Sequence, residues 1–406
     1  MMKKFIMYGA GNIGRGFIGQ VFSDAGYSVG FVDINKEVIS KLNSDKEYPV
    51  DIVSNDGVEE KIVKNVYGID GTDIELVSNE IASADIMATA IGVNVLKFIA
   101  KPIALGLKKR FLANKEPFNI IICENLIGAD EYLKALIKEQ LPEFSDRIDS
   151  EIGFVEASIG RMVPVVPEDK KMGNVLRVYV EPYNILPVDS NAFKGEIPNV
   201  SNLYPYSPFN LFIQRKLFMH NMSHATCGYL GYLKNYEYIY QAVNDIDIKY
   251  VAYKSLLQSA MAVAKENGAD ISELISHAEN LIYRFKNIEL GDTVERVGKD
   301  TIRKLGSNDR LVGALILAEK HNLPCEYLCI GIAAGMLFHP QADDRSIELS
   351  EFAKNNGVNA TLEKYCGYSG AKCEIINTLY NKFSAGENLS SIINFVEELS
   401  GKKIRV

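Results

Sequence analysis

Residues 3–19, KKFIMYGAGNIGRGFIG, constrain this 406-residue chain more than any other stretch. The apolar residues 5–8 predict a buried strand, and Gly9, Gly11 and Gly14 follow with the spacing G-x-G-x-x-G. The first glycine permits a tight turn, the second lets a phosphate approach the backbone, and the third lets a helix pack closely on the strand. A helix that begins here directs unpaired N–H groups toward an anion. The stretch therefore predicts a strand–turn–helix unit that binds the pyrophosphate of a dinucleotide.

A second apolar run, residues 28–32, ends on Asp33, whose carboxylate can accept hydrogen bonds from both hydroxyls of an adenosine ribose. A carboxylate repels the 2′-phosphate of NADP, so the sequence predicts NAD, although the nearby Lys36 weakens that preference. Another glycine, Gly92, follows the apolar residues 86–91. The predicted cofactor-binding residues are Gly9, Ala10, Gly11, Asn12, Ile13, Gly14, Asp33 and Gly92.

Strand-like runs alternate with helical patterns through the first half of the chain, which predicts a mostly parallel, doubly wound sheet of the Rossmann type. Prolines 198, 205 and 208 then interrupt the chain, and the pattern beyond them is almost wholly helical. A chain of this length also exceeds one ordinary core. We therefore predict an α/β fold with an NAD-binding domain in residues 1–204 and a mostly α-helical catalytic and substrate domain in residues 205–406.

The composition of the chain limits the classes of molecule that it can bind. Hydrophobic residues make up 47% of the chain and charged residues 24%, as in soluble globular proteins. The formal net charge of −8 argues against general binding to nucleic acids or anionic membranes. The apolar runs 86–96 and 329–338 are too short to span a bilayer. Six scattered cysteines are typical of reduced thiols, so we predict a cytoplasmic protein whose partner is a small molecule.

A predicted helix that begins near Phe209 carries Lys216, Asn221 and His224. At 100° per residue they fall at about 0°, 140° and 80°, so all three can face one cleft. Hydride transfer to a carbonyl requires a proton donor, which a lysine can supply, and an asparagine can stabilise the developing oxyanion. The alternative is a solvated lysine and a structural histidine. His220 and His224 also suggest a metal pair, but the segment HNMSH lacks a zincin glutamate, so no metal is predicted.

With these residues in order, the chain resembles the long-chain polyol dehydrogenase (mannitol dehydrogenase) family, most closely the branch that uses mannitol 1-phosphate. The start GAGNIGRGFIG, the pattern K-x4-N-x2-H, and the segments CENLIG, DTVERVGKDTIRKLGSNDRL and IAAGMLF carry the resemblance. It implies that Lys216 is the acid–base, that Asn221 and Asn125 polarise the reacting oxygen, and that His224 orients the substrate. The implied contacts for polyol hydroxyls or phosphate are Arg296, Lys304 and Arg161.

The resemblance implies a zinc-independent, NAD-dependent oxidoreductase that interconverts a sugar alcohol and its ketose, with mannitol 1-phosphate and fructose 6-phosphate as the favoured pair. It also implies a monomer. The alternatives are a reductase of an unphosphorylated polyol or a hexuronate, a catalytically silent NAD sensor, and a zinc alcohol dehydrogenase, for which the ligand set is missing.

The chain departs from the family pattern at three places. Gly160 stands where a carboxylate is usual, Met222-Ser223 replaces Thr-Gly within the catalytic helix, and His339 replaces an arginine. The reaction class is unaffected by these departures, whereas the phosphorylated state of the substrate is left open by them.

Overall fold

The computed structural model describes residues 2–399 and residue 401, in two units, Met1–Phe209 and Asn210–Val406. The predicted boundary after residue 204 lies a few residues before this division. The strands, in chain order, are β1 (Lys4–Tyr8), β2 (Ser28–Asp33), β3 (Glu47–Ser54), β4 (Gly57–Lys64), β5 (Val66–Asp70), β6 (Ile86–Thr89), β7 (Phe118–Ile122), β8 (Ile152–Glu156), β9 (Val178–Val180), β10 (Leu186–Asp189) and β11 (Leu203–Tyr206).

The main sheet of the first unit has six parallel strands in the order β5-β2-β1-β6-β7-β8. Counted along the chain, its strands lie in the order 3-2-1-4-5-6, which is the doubly wound Rossmann arrangement. The strand order reverses between β1 and β6, and ligands bind such sheets beyond the carboxyl ends of the strands at this point. The turns that follow β1 and β6 begin with Gly9 and with Ala90, so the fold brings the two predicted cofactor turns together.

Both faces of this sheet are buried, because successive side chains of a strand point to opposite sides. In β1, Phe5 and Met7 belong to one hydrophobic core, whereas Ile6 and Tyr8 belong to the other. The first core also contains residues of the helical segments after β1 and β2 and of β3, β9 and β10, whereas the second contains residues of the helices that connect the parallel strands. The helical segments of the first unit are Gly14–Gly19, Gln20–Asp24, Lys36–Asp45, Ile74–Ser83, Val93–Val95, Leu96–Leu112, Ala129–Gln140, Pro142–Phe144, Ser145–Glu151, Glu168–Lys171 and Ser190–Ala192.

Three strands, β3, β4 and β5, lie in residues 47–70, where no strand was singled out from the sequence. Pro49 lies within β3, although proline is usually excluded from central strands. β4 is largely exposed and carries Glu59, Glu60 and Lys61 in a row, so its pattern does not alternate. Its pairing with β3 is antiparallel, and β9 joins the other side of β3. The tertiary pairing, rather than local sequence preference, therefore determines these strands.

The second unit consists of helices. The helix Ile246–Asn267 runs through it, and Tyr327 to Met336 of the helix Glu326–Met336 are all buried. Its helical segments are Asn210–Gln214, Arg215–Asn221, Met222–Leu233, Ile239–Asn244, Ile246–Asn267, Ile271–Arg284, Ile288–Leu290, Val294–Gly298, Thr301–Lys304, Val312–Lys320, Glu326–Met336, Asp344–Asn356, Val358–Thr361, Leu362–Cys366, Cys373–Ser384 and Leu389–Leu399.

No helix in the part of the chain that the structure describes combines the length and apolar character that a membrane span requires. All six cysteines are free thiols; five are buried and Cys373 is half-buried.

Candidate active site

The glycine-rich turn after β1 has the geometry that its spacing predicts. Gly9 has a φ of 108°, and a Cβ there would lie 2.6 Å from the Ala90 carbonyl oxygen. A Cβ at Gly14 would collide with the Gly9 carbonyl oxygen. A Cβ at Gly11, by contrast, would meet no described protein atom within 4 Å. Gly9 and Gly14 are therefore required by the turn itself, whereas Gly11 keeps open a space that a phosphate can approach.

Asp33 binds the same turn from the end of β2. Its Oδ2 accepts a hydrogen bond from the Ala10 N–H at 2.8 Å, and its Oδ1 accepts one from the Asn35 N–H at 2.9 Å. A carboxylate oxygen can accept more than one hydrogen bond. Asp33 can therefore hold the turn in place and also accept hydrogen bonds from ribose hydroxyls.

Arg15 supports the turn from inside the core, which the sequence analysis does not predict. Its Nε donates to the Ala10 carbonyl at 2.7 Å, and its Nη1 donates to the Val175 carbonyl at 3.0 Å. The buried Tyr48 hydroxyl donates to the Arg15 carbonyl at 2.7 Å. A buried guanidinium needs such partners, so Arg15 fixes the turn rather than contacting a ligand.

The residues after β6 and β7 form a second part of this edge. The buried Glu124 accepts hydrogen bonds from the Thr89 hydroxyl at 2.7 Å and from the Ile91 N–H at 3.1 Å. Burial raises the pKa of Glu124, and these hydrogen bonds oppose that shift. Gly92 has a φ of 88°, and Asn125 is exposed directly after Glu124. Glu124 therefore joins the loop that carries Gly92 to the loop that carries Asn125.

Lys216 and Asn221 lie on a π-helical segment, Arg215–Asn221, inside a longer helix that extends over residues 210–233. The α-helical angle of 140° assumed from the sequence is therefore wrong for this pair. The backbone hydrogen bonds of a π-helix join positions i and i+5, which is the separation of Lys216 and Asn221. The Lys216 Nζ donates a hydrogen bond to the Asn221 Oδ1 at 2.8 Å. Lys216 is half-buried and Asn221 is buried. The π segment thus brings the two predicted catalytic groups into direct contact.

His224 follows one turn later and is held by two neighbours that the sequence analysis does not identify. Its ring stacks on Phe285, with centroids 4.7 Å apart and planes 13° apart. Its Nε2 lies 3.0 Å from Asp292 Oδ2. Burial and nearby cations hold the pKa of His224 well below its usual range, so the ring is neutral near pH 7.

Positive side chains concentrate near His224. Arg296 pairs with Asp292, and Lys304 is buried and donates a hydrogen bond to the Val297 carbonyl. Burial, followed by the charges of Arg310 and Arg303, lowers the pKa of Lys304 to about 7. Arg310, a buried residue that the sequence analysis does not single out, is fixed by Asp309 at 2.7 Å. The cations that influence His224 are Arg296, Lys304, Lys216 and Arg310.

Arg161 differs from this group, because its guanidinium is buried in the first unit. Its Nε donates to the Glu181 carbonyl at 2.9 Å, and its Nη1 donates to the Gly16 carbonyl at 3.0 Å and to Gln20 Oε1 at 2.7 Å. These contacts join the loop after β8 to the π-helical segment after the glycine-rich turn. Since Nε and Nη1 are used in this way and Arg161 is only 3% exposed, we do not propose Arg161 as a substrate contact.

The departures from the family pattern have different surroundings. Met222 and Ser223 are buried, and the Ser223 hydroxyl donates to the Met219 carbonyl at 2.7 Å, so both belong to the helix packing. The exposed His339 places its Nδ1 2.6 Å from the Leu337 carbonyl oxygen. Gly160 lies beside Tyr183, whose ring a Cβ would approach at 3.1 Å. Met222 and Ser223 therefore belong to the packing of the helix that carries Lys216, Asn221 and His224.

The residues present fit a dinucleotide, because Gly11 leaves space for a phosphate and Asp33 keeps hydrogen-bonding capacity for a ribose. Within residues 2–399 and 401, no group of three or more His, Cys, Asp or Glu side chains could hold a metal ion. The fold and these residues define a dinucleotide-dependent dehydrogenase with a helical second unit. Residues 3–202 match the family description "Mannitol dehydrogenase Rossmann domain", and residues 209–370 match "Mannitol dehydrogenase C-terminal domain". The chain belongs to the mannitol dehydrogenase family.

Two relatives are named mannitol-1-phosphate 5-dehydrogenase. The protein from Thermoanaerobacter pseudethanolicus is 36% identical over 367 residues, which cover 90% of this chain and 94% of the relative. The protein from Caldanaerobacter subterraneus subsp. tengcongensis is 35% identical over 372 residues, with the same coverage of 90% and 94%.

Solved structures share the fold at low identity. A substrate-free D-sorbitol dehydrogenase has a TM-score of 0.82 at 15% identity and covers 97% of this chain and 95% of its own. Mannitol 2-dehydrogenase from Pseudomonas fluorescens, in a ternary complex with NAD and D-mannitol, has a TM-score of 0.76 at 16% identity, with coverage of 99% and 95%. The predictions of family, fold class and an NAD-dependent polyol dehydrogenase are confirmed.

Proposed function

We propose that this chain oxidises mannitol 1-phosphate to fructose 6-phosphate, and catalyses the reverse reduction, with NAD as cofactor. Relatives of that name match over nearly the whole chain. The observation that carries the chemistry is the contact of 2.8 Å between the Lys216 amine and the Asn221 amide oxygen. It joins an acid–base group to a group that can polarise an oxygen.

The first unit binds the cofactor. Gly9 to Gly14 present the backbone of the turn to the pyrophosphate, and Asp33 accepts hydrogen bonds from the adenosine ribose. Its negative charge disfavours the 2′-phosphate of NADP. NAD held by these residues would supply the acceptor for the hydride that leaves the alcohol carbon of the substrate.

Lys216 is the acid–base of the reaction. In the oxidative direction its neutral amine removes the proton of the reacting hydroxyl, and in the reductive direction its ammonium returns that proton to the oxygen. Asn221 aligns the lysine through the hydrogen bond to Oδ1, while its amide N–H groups remain able to donate to the reacting oxygen. By family resemblance, we assign Asn125 as a second hydrogen-bond donor to this oxygen. The proton is thus transferred by a side chain and not by a metal-bound water.

The cations near His224 favour a phosphorylated substrate. Arg296, Lys304 and Arg310 place positive charge around a neutral histidine that can form hydrogen bonds with hydroxyl groups. Arginine suits phosphate because its planar guanidinium can donate two parallel hydrogen bonds. We assign Arg296 and Lys304 to the phosphate or to the adjoining hydroxyls, and His224 to orientation of the polyol.

The remaining assignments are a monomer in the cytoplasm that binds neither nucleic acid nor membrane. Six free thiols are typical of a reducing compartment. The net charge of −8 disfavours a polyanionic partner such as nucleic acid.

A substrate panel tests the function. We expect NADH-dependent reduction of fructose 6-phosphate with a kcat/KM at least about 100-fold above that for fructose, since a phosphate contact contributes several kcal/mol. Tagaturonate tests the hexuronate alternative, NADPH in place of NADH tests the role of Asp33, and a strong chelator tests zinc independence. Equal or higher kcat/KM with fructose or tagaturonate would refute the phosphorylated substrate.

A further inference from the structure

Asp292 is a buried carboxylate to which the proposed mechanism gives no role. Its Oδ2 lies 3.0 Å from His224 Nε2, and its Oδ1 faces the guanidinium of Arg296. A buried carboxylate is costly unless it is paired. Asp292 therefore connects two residues that are assigned to the substrate.

The backbone around Asp292 is fixed on both sides. The Asp292 carbonyl accepts a hydrogen bond from the Ile239 N–H at 2.9 Å, and the Val294 N–H donates to the Glu237 carbonyl at 2.9 Å. Thr293 caps the helix Val294–Gly298 by accepting a hydrogen bond from the Arg296 N–H at 3.2 Å. The position of the carboxylate is thus set by main-chain contacts that do not depend on a ligand.

Asp292 supplies what the stacking of His224 on Phe285 lacks. A parallel stack fixes the plane of the imidazole ring, but it permits a half-turn of the ring that exchanges Nδ1 with Cδ2 and Nε2 with Cε1. The contact at Nε2 does not have the angle of a hydrogen bond, so Asp292 acts on the ring through its charge, which favours the tautomer with the proton on Nε2 and leaves Nδ1 as an acceptor. The two contacts together define both the plane and the edge of the ring.

We propose that Asp292 is a positioning residue that sets the orientation and tautomer of His224 and holds Arg296 beside it. The inference rests on the proposed function, since it assumes that His224 and Arg296 contact the substrate. Asp292 itself contacts neither the substrate nor the reacting atoms and acts through these two side chains.

A double-mutant cycle tests the proposal. Asp292→Asn should lower kcat/KM for mannitol 1-phosphate roughly 10- to 100-fold, because a misplaced substrate group costs about that much. The same change in a background that carries both His224→Ala and Arg296→Ala should lower it less than about threefold, since both groups to be positioned are already absent. Full multiplication of the two losses would overturn the proposal, as would unchanged kcat/KM in Asp292→Asn.

Two controls separate positioning from folding. Asp343 caps the helix Asp344–Asn356 and accepts a hydrogen bond from the Asp300 N–H at 2.8 Å. Asp343→Asn should therefore lower the melting temperature, and any loss of kcat/KM that it causes should multiply with the loss caused by His224→Ala. If Asp292→Asn does not fold, Asp292→Glu keeps the charge beside Arg296 and displaces it by one methylene. It should lose activity only when His224 and Arg296 are present, and equal losses in both backgrounds would overturn the proposal.

Wild-type turnover of mannitol 1-phosphate is measured first. Its absence would refute the proposed function and would leave the role of Asp292 to be judged separately, by the same cycle with the polyol that the substrate panel identifies.

Discussion

Lys216 is the residue whose loss should affect chemistry without affecting cofactor binding. Its amine is held by Asn221 in the second unit, whereas the predicted cofactor residues lie in the first. Lys216→Ala should therefore lower kcat by about 10²- to 10⁴-fold, the usual contribution of a general acid–base. The Kd of NADH, measured by fluorescence, should stay within about twofold. Lys234→Ala is the matched control, because Lys234 ends the same helix and pairs with Asp245.

Lys304 should make substrate binding depend on pH. Because burial and neighbouring arginines lower its pKa to about 7, Lys304 loses its charge as the pH rises through 7. The substrate phosphate is already mainly a dianion there, so the KM for mannitol 1-phosphate should rise several-fold between about pH 6.5 and 8.5. Lys304→Met should show a raised KM with little pH dependence. The same pH dependence in both proteins would contradict this role for Lys304.

At the scale of the element, the glycine-rich turn separates folding from binding. A Cβ at Gly14 meets the Gly9 carbonyl, whereas a Cβ at Gly11 meets no described protein atom within 4 Å. Gly14→Ala should thus lower both the melting temperature and the affinity for NADH. Gly11→Ala should retain the wild-type melting temperature and weaken NADH at least about tenfold. Calorimetry and fluorescence titration measure the two effects, and equal destabilisation by both changes would contradict the assignment.

Some structural elements of this chain can be predicted from their local sequence and others cannot. The turn after β1 is predictable because each glycine answers a constraint within a few residues. The π-helical form of Arg215–Asn221 is not, since the sequence pattern of a helix assumes a period of 3.6 residues. Asp292 and Phe285 are more than 60 residues from His224 in the sequence and reach it only through helix packing. The burial of Arg161 likewise depends on partners contributed by Gly16, Gln20 and Glu181.

At the scale of the whole molecule, the net charge and the local charge around His224 have opposite signs. The chain is acidic, with a net charge of −8, yet the second unit concentrates Arg296, Lys304 and Arg310 near His224. A local field can attract an anionic substrate even when the total charge is negative. The cations also disfavour further positive charge on the histidines packed among them, which links folding to pH.

Three histidines of the second unit should make the folded state sensitive to acid. Burial holds the pKa of each histidine well below its usual range, and neighbouring cations lower it further. These cations are Lys216 and Arg284 for His220, Arg296 and Lys304 for His224, and Arg215 and Arg284 for His277. In the unfolded chain these histidines titrate near pH 6.5. Below that pH the unfolded state binds more protons than the folded state, so the free energy of unfolding falls as the pH falls. The loss is about 1.4 kcal/mol per pH unit for each histidine until its folded-state pKa is reached.

Urea unfolding between pH 7.5 and 5 measures this dependence of the free energy of unfolding on pH. His220→Gln removes one of the three groups, so its slope below pH 6 should be shallower by about 1.4 kcal/mol per unit; a slope equal to that of the wild type would show that His220 is protonated in the folded protein.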